Sequence, residues 1–370
     1  MAPSRTGFFS LFWISLASFA LLFNKANTAL HTQPLVGIIA QNGTTGVNIQ
    51  YPSPSSYYTY VAGSYADWVG LTGAIPVFIP FDLPRSTLDF ILPYLDMFLF
   101  PGGGTGLTQG TSFSPYMQTV NYIVDYAKQR NDNGTYFPVY GICNGFQALS
   151  TYWAQATNIL SCNFNDLMRD HQVVKNETNF AQSTFWTSLD QNNLDYVFDN
   201  GFVFYDHNCG VSPKTYFGNS NLTSRTRLLA TSFTDAGVEF VTMLEDLHYP
   251  IYATQWHPEK NMFERGPAYA FLDRSTPTVQ FLSDIIQTLV DKVRPTARPL
   301  SSIPKSIWPY FSIYQTPLMV SYANYERIYL QQRYLSNLHS VETTGSEEGS
   351  ASESSASTAQ LKEDREKSDL

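Results

Sequence analysis

The sequence contains few cysteines. Its 370 residues include three of them, Cys143, Cys162 and Cys209. An odd number excludes complete disulfide pairing within one chain, so at least one thiol stays unpaired even in an oxidising compartment. A bridge between Cys162 and Cys209 would leave Cys143 free, but the sequence leaves this pairing open.

Basic residues are also scarce. The chain has 22 lysines and arginines against 31 aspartates and glutamates, which gives a net charge of −9. Residues 341–370 hold eight acidic and three basic residues in a stretch rich in Ser and Glu, and this composition predicts a disordered acidic tail. The rest of the chain is mildly acidic, which gives no reason to expect a nucleic-acid partner.

Phosphate-binding motifs are missing as well. The segment at 100–107, FPGGGTGL, is rich in glycine, but it contains neither a G-x-G-x-x-G pattern nor a P-loop lysine. The sequence therefore does not indicate a bound nucleotide, and we predict no cofactor and no metal.

One long apolar run is present, at residues 8–23. It follows Arg5 and precedes small residues at Ala26 and Ala29. This pattern predicts a signal peptide over 1–29 and no membrane attachment once it is cleaved, with a retained signal anchor as the alternative. Sequons of the N-x-S/T type support passage through the secretory pathway, and we predict glycosylation at Asn42, Asn133, Asn176 and Asn221.

Apolar runs alternate with helical patterns through the body of the chain. Buried strands are predicted over 34–41, 75–82, 95–107 and 136–142, with a further pair of strands within 237–260. Helices are predicted over 56–74, 114–130, 143–154 and 278–294. The alternation predicts a three-layer α/β fold in which a mostly parallel central sheet is flanked by helices.

The body is predicted to span residues 30–299 and to be followed by an aromatic-rich extension over 300–340. This extension includes Trp308, Tyr310 and Phe311. Its apolar content is too high for a free linker, so we expect it to pack on the body or on a partner. The acidic tail over 341–370 completes the chain.

Cys143 lies between two glycines, in the pattern Gly141-x-Cys143-x-Gly145, where a predicted strand becomes a helix. A sharp strand-to-helix turn needs small neighbours and lifts its central side chain above the strand ends. The helix N-terminus favours a thiolate, and the amide of Asn144 is placed to stabilise an oxyanion. A buried structural cysteine in a tight turn is the alternative interpretation.

A thiolate nucleophile needs a base, and the segment QWHPEK supplies His257 followed by Glu259. Two residues apart on an extended segment, both side chains can point to one side. Glu259 could then hold one ring nitrogen while the other faces Cys143. A second oxyanion donor is expected from the glycine-rich segment, with Gly103 preferred and Gly102 next.

Three motifs in this order, LFPGGGTGL, FPVYGICNGFQALS and YPIYATQWHPEK, resemble those of gamma-glutamyl hydrolases. The likeness spans about 34–294. It implies a class I glutamine amidotransferase-like (flavodoxin-like) fold and cleavage of gamma-glutamyl bonds in folylpoly-gamma-glutamates, a small-molecule substrate, in lysosomes, vacuoles or outside the cell. It also implies Cys143 as nucleophile, His257 as general base and acid, Glu259 as its orienting partner and a thioester intermediate. A homodimer is common in the family, and the sequence leaves it open.

The same resemblance suggests residues that contact the substrate. His207 matches a family histidine that precedes the late strands, and Tyr60 is one of several tyrosines that could match a family tyrosine at the mouth of the site. Gln147 stands where many relatives carry a glutamate, which removes a charge and puts substrate anchoring in question. Cys209, close after His207, also departs from the family pattern.

Two other functions remain open at this point. One is the glutaminase half of an amidotransferase, which the signal peptide and sequons disfavour. The other is a non-catalytic binding protein on the same fold, which the tyrosine-rich extension and the tail keep open.

Overall fold

The computed structural model describes residues 32–43, 58–315, 317–322 and 325–332. These residues belong to one compact unit. The predicted signal peptide and the acidic tail lie outside the described residues. Within the described ranges, no helix combines the length and the apolar character that a bilayer span requires.

Strands and helices are numbered in chain order. The strands are β1 (Leu35–Ile39), β2 (Gln41–Asn42), β3 (Tyr58–Ala62), β4 (Ile75–Ile79), β5 (Met97–Phe100), β6 (Thr108–Gln109), β7 (Ser112–Phe113), β8 (Val139–Ile142), β9 (Asp166–His171), β10 (Val174–Lys175), β11 (Val203–His207), β12 (Thr226–Phe233), β13 (Glu239–Asp246), β14 (Ile251–Thr254), β15 (Pro317–Tyr322) and β16 (Tyr325–Gln332). The helices are α1 (Gly63–Gly70), α2 (Arg85–Ile91), α3 (Pro115–Asp132), α4 (Asn144–Ala154), α5 (Glu177–Phe180), α6 (Gln191–Asp199), α7 (Pro213–Gly218), α8 (Ser220–Arg225), α9 (Lys260–Phe263) and α10 (Thr276–Val293).

The main sheet has the strand order β10-β12-β13-β14-β8-β5-β1-β4. The five strands from β14 to β4 are parallel to one another, and β10, β12 and β13 extend the sheet in antiparallel fashion. Because parallel strands end at the same edge of a sheet, β5, β8 and β14 deliver the loops that follow them to one place.

Helices cover both faces of this sheet. On β1, Val36 and Ile38 point into the core that α1, α6 and α10 close, whereas Leu35 and Ile39 point into the core that α2, α3 and α4 close. Strands that are buried on both faces explain why the sequence shows continuous apolar runs rather than alternation. The predicted three-layer α/β fold is confirmed.

The helix predicted over 56–74 is wrong in its first half. Tyr58–Ala62 forms β3, which pairs with β2 on one side and with β16 on the other, and the helix begins only at Gly63. The segment alternates aromatic and β-branched residues, which suits a strand, and its pairing partner β16 lies more than 250 residues further along the chain.

The described part of the aromatic-rich extension packs on the body, as its composition predicts. Ile303, Ile307 and Phe311 are buried in the same core as α2 and α3, and the backbone of Phe311 pairs with Val77 of β4. Burying side chains of this size stabilises the fold by about 1.5–3 kcal/mol each. Residues 300–315 and β16 therefore belong to the folded body.

Candidate active site

The turn at Cys143 has the strained geometry that its neighbours predict. Cys143, between β8 and α4, has a φ of +52°. Residues other than glycine rarely adopt a positive φ. A Cβ added to Gly145 would fall on the backbone carbonyl of Phe100, and one added to Gly141 would stand 2.7 Å from the Gly145 oxygen. Small residues are therefore required on both sides of Cys143.

His257 and Glu259 follow β14 and are both buried, with exposures of 2% and 0%. The His257 Nδ1 atom lies 2.8 Å from Glu259 Oε1 and 3.2 Å from the hydroxyl of Tyr65. Burial lowers the pKa of His257, but Glu259 and Cys143 outweigh it and raise this pKa to about 9. Nδ1 is thus occupied, while Nε2 has no hydrogen-bond partner among the described residues.

Strand register brings Cys143 and His257 together. In the parallel pair β14–β8, Thr254 stands opposite Ile142, and the Thr254 carbonyl accepts a hydrogen bond from the Cys143 amide at 2.9 Å. Both side chains also border one point beside Gly102, where an added Cβ would lie 2.6 Å from His257 Cε1 and 3.2 Å from Cys143 Cβ. The thiol and the imidazole therefore share one side of the sheet edge.

The glycine-rich loop after β5 supplies backbone amides to this edge. The Gly102 amide donates to the Tyr65 hydroxyl at 2.8 Å, so it is already in use. The Gly103 amide makes no hydrogen bond within the described part of the chain. The Asn144 amide opens helix α4, where no intrahelical acceptor is available to it. Gly103 and Asn144 therefore stay the predicted oxyanion donors, and Tyr65 is a neighbour that the sequence did not single out.

A cavity of about 490 Å³ opens above Cys143. Besides Cys143 and His257, its walls include Tyr60, Gly103, Asn144, Gln147, Thr151, Leu160, Leu167, Asp206, His207 and the disulfide partners Cys162 and Cys209. Neither lysine nor arginine contributes to this lining within the described residues, so His207 and His257 are its two groups that can carry positive charge.

The predicted substrate-contacting residues all reach this cavity, but in different ways. Tyr60 is 1% exposed and lines it from β3. Gln147 donates from Nε2 to the Cys209 carbonyl at 2.6 Å. His207 has Nδ1 3.0 Å from the same carbonyl and Nε2 3.4 Å from Asp166 Oδ2. A protein oxygen therefore lies beside each nitrogen of His207, and Nε2 makes no hydrogen bond with the described residues.

Cys162 and Cys209 form a disulfide, and Cys143 is free. The bridge ties the loop before β9 to the loop after β11 and stands in the cavity wall. Of the three pairings that three cysteines allow, the structure shows the one that leaves the thiol at the turn unbound.

Sequence reasoning missed Asp166 and His171. Asp166 lies beside His207 in the cavity wall, and His171 contacts Asp166. They lie on β9, which pairs antiparallel with β11. No local spacing relates them to His207, so only the pairing of the two strands could have revealed the cluster. Among the residues that the structure describes, no group of His, Cys, Asp and Glu has an arrangement that could hold a metal ion.

The four sequons differ in their surroundings. Asn133 and Asn176 are exposed, although the Asn176 side chain accepts a hydrogen bond from the Asn179 amide as a helix cap. Asn221 is half-buried and donates to the Ala154 carbonyl at 3.1 Å, and Asn42 is half-buried beside β3. Asn133 is the sequon with the most open setting.

A thiol at a strained strand-to-helix turn, with a histidine–carboxylate pair at the end of the neighbouring strand, is an arrangement found in cysteine hydrolases. Comparison with known families agrees with this class. The family model described as Peptidase C26 matches residues 34–259. The chain belongs to the Peptidase C26 family and is a hydrolase.

Similar proteins carry related names. The chain is 30% identical over 257 residues to gamma-glutamyl hydrolase B of Dictyostelium discoideum, covering 69% of this chain and 70% of that protein. It is 28% identical over 309 residues to probable gamma-glutamyl hydrolase 3 of Arabidopsis thaliana, covering 81% and 84%. It is 32% identical over 220 residues to gamma-glutamyl hydrolase of Rattus norvegicus, covering 57% and 65%. The resemblance found in the three motifs is confirmed.

Proposed function

We propose that this protein hydrolyses gamma-glutamyl bonds of folylpoly-gamma-glutamates through a Cys143–His257–Glu259 triad. The observation that carries the proposal is the meeting of a free thiol and a buried histidine–carboxylate pair at the ends of β8 and β14. The names of the relatives supply the bond type, and the sequence resemblance supplies folate as the substrate.

The mechanism depends on the position of the His257 proton and on the groups that stabilise the oxyanion. Because the pKa of His257 is raised to about 9, the proton resides on His257 at neutral pH, which favours the Cys143 thiolate beside it. The thiolate attacks the gamma-carbonyl carbon, and the amides of Gly103 and Asn144 stabilise the oxyanion. His257 then gives its proton to the departing amine nitrogen, and the C–N bond breaks to leave a thioester.

Hydrolysis of the thioester reverses these roles. His257, now neutral, takes a proton from water as the water oxygen attacks the thioester carbon. Collapse of the second oxyanion expels Cys143 and releases a free gamma-carboxylate. Glu259 keeps the ring oriented through Nδ1 in both half-reactions, so the same Nε2 atom serves the leaving amine and the water.

The test is to incubate wild type and Cys143→Ala with a pteroyl-oligo-gamma-glutamate and to identify the products by mass. We expect glutamate-shortened products from wild type and a loss of at least about 10⁴-fold in rate for the variant. Asp235→Asn, on the exposed surface, is the matched control, and thermal unfolding checks that the variant stays folded. Full activity of Cys143→Ala would reject the mechanism, and ammonia release from glutamine alone would favour a glutaminase.

We further propose that the chain passes through the secretory pathway to a vacuole, a lysosome or the outside of the cell. The predicted signal peptide and the exposed sequon at Asn133 support this. A mass decrease on enzymatic deglycosylation that becomes smaller in Asn133→Gln would support it, and a full-length chain without glycan in the cytosol would contradict it.

A further inference from the structure

The disulfide between Cys162 and Cys209 stands in the wall of the active-site cavity. Both cysteines line the cavity above the free thiol of Cys143. Cys162 is exposed and Cys209 is half-buried, so a small thiol in solvent can reach the bridge. Exposed disulfides are reduced more readily than buried structural ones. The bridge is therefore a covalent part of the cavity wall that a reductant can open.

The backbone carbonyl of Cys209 joins two side chains of this wall. It accepts a hydrogen bond from Gln147 Nε2 at 2.6 Å and lies 3.0 Å from His207 Nδ1. Gln147 follows the nucleophile by one turn of α4, and its Nε2 atom also lies 3.4 Å from Oε1 of Gln255, which is fully buried. A shift of the Cys209 carbonyl would therefore displace side chains that shape the cavity on two of its sides.

Beside the bridge, the two segments meet through an isolated backbone pair. Ser161 and Gly210 exchange two hydrogen bonds of 2.9 Å, and the Phe164 amide donates to the Asn208 carbonyl at 3.1 Å. The exposed side chain of Asn208 adds two hydrogen bonds of 3.3 Å. Exposed contacts of this kind open locally. Because the two cysteines lie 47 positions apart, the S–S bond removes much of the entropic cost of keeping these segments together.

Other contacts hold the residues of the chemical step. The Cys143 amide donates to the Thr254 carbonyl at 2.9 Å within the main sheet, and His257 Nδ1 lies 2.8 Å from Glu259 Oε1. The pairing of β9 with β11 continues beyond the bridge and does not depend on it. Opening the disulfide should therefore loosen the cavity wall, while the fold and the catalytic geometry persist.

We propose that Cys162 and Cys209 are positioning residues: their disulfide fixes the cavity wall, and its reduction by a dithiol weakens substrate binding while leaving the chemical step intact. A thiolate of the dithiol attacks one sulfur to form a mixed disulfide, and its second thiolate then releases both cysteines. The S–S bond takes up two electrons and two protons to give two thiols, and the dithiol becomes a disulfide. The inference rests on the proposed function, because it takes a gamma-glutamyl compound as the substrate.

The first test measures KM and kcat for a pteroyl-oligo-gamma-glutamate before and after treatment of wild type with dithiothreitol. Because the reduced wall loses one or two ordered hydrogen bonds at Cys209, we expect KM to rise about five- to tenfold. The kcat value should stay within about twofold, because the catalytic residues keep their contacts. Reoxidation should restore the original KM.

Two variants separate positioning from general stability. The double variant Cys162→Ala/Cys209→Ala should have the raised KM from the start and should not respond to dithiothreitol. Val197→Ala, in the core beneath α6 and away from the cavity, lowers stability without touching the wall, so its KM should match wild type. A wild-type KM in the double variant, or a kcat that falls as steeply as KM rises, would overturn the inference.

A second measurement does not depend on turnover. Calorimetry of Cys143→Ala with the same uncleaved compound should give a Kd that rises about five- to tenfold when the bridge is reduced. An equal Kd in both states, or no binding in either, would overturn the inference. If wild type fails to hydrolyse the compound while the Kd still depends on the bridge, the result counts against the proposed function alone.

Discussion

Two histidine–carboxylate pairs border the same cavity, and they differ in what their rings can still do. His257 with Glu259 and His207 with Asp166 are all at most 4% exposed. In the first pair the carboxylate occupies Nδ1, and the Cys143 thiol stands beside the ring. In the second pair the carboxylate lies 3.4 Å from Nε2 without a hydrogen bond, and Nδ1 lies 3.0 Å from the Cys209 carbonyl.

The difference separates proton transfer from positioning. A ring whose Nδ1 is held by a carboxylate and that stands next to a thiol can accept and return a proton as the reaction proceeds. A ring with a protein oxygen beside each nitrogen has no nitrogen directed at the thiol, so we expect it to position its neighbours rather than to transfer a proton. Similar burial and similar residue types thus suit two roles, and the atoms beside each nitrogen decide which.

Replacing His257 should have the largest effect. We expect His257→Ala to lower kcat by about 10⁴-fold, because in the proposed mechanism His257 gives its proton to the leaving amine. Because His207 lines the cavity wall, His207→Gln should instead lower kcat/KM by at most about 10²-fold, mainly through KM. Steady-state kinetics on one gamma-glutamyl substrate measure both.

The exposed His248→Ala is the control for this pair of variants. If His207→Gln lost kcat as heavily as His257→Ala, the two rings would not have separate roles and the comparison would fail.

Glu259→Gln should rank next. An amide can still hold the ring, but it removes the negative charge that raises the pKa of His257, so we expect kcat to fall by about 10²- to 10⁴-fold. The alkaline limb of the pH–rate profile should also move to lower pH. Glu239→Gln, an exposed carboxylate, is the control. An unmoved limb would mean that Glu259 does not set the charge of His257.

Wild type should show this limb directly. The pKa of His257 is about 9 in the folded chain and about 6.5 when unfolded, so it is raised by folding. Its contribution to the free energy of unfolding is therefore complete below about pH 6.5 and is lost as pH rises through about 9. We expect the urea midpoint to decline between about pH 6.5 and pH 9, and kcat/KM to fall with a midpoint near pH 9. A rate that falls with a midpoint near pH 7 would contradict the raised pKa.

The two pairs also differ in how far the sequence could predict them. His257 and Glu259 are two positions apart on one segment, and Cys143 is marked by flanking glycines that only a tight turn requires, so local chemistry sufficed. Asp166 lies 41 positions before His207 and meets it through β9–β11 pairing, whose register shifts near His207. The same limit explains β3, whose strand character depends on β16 far along the chain.

The smallest effect is expected at Gln147, where the neutral side chain donates to the Cys209 carbonyl that also holds His207. Gln147→Glu would set a carboxylate against that carbonyl, at a cost of about 1–3 kcal/mol when ionised, whereas a protonated carboxyl can still donate. We therefore expect KM to rise about three- to tenfold at pH 7 and to approach wild type near pH 4–5. Gln155→Glu, exposed just beyond α4 and bonded to a carbonyl in the same way, is the control. A KM that is independent of pH in Gln147→Glu would show that Gln147 acts by shape, and that the Cys209 carbonyl does not couple it to His207.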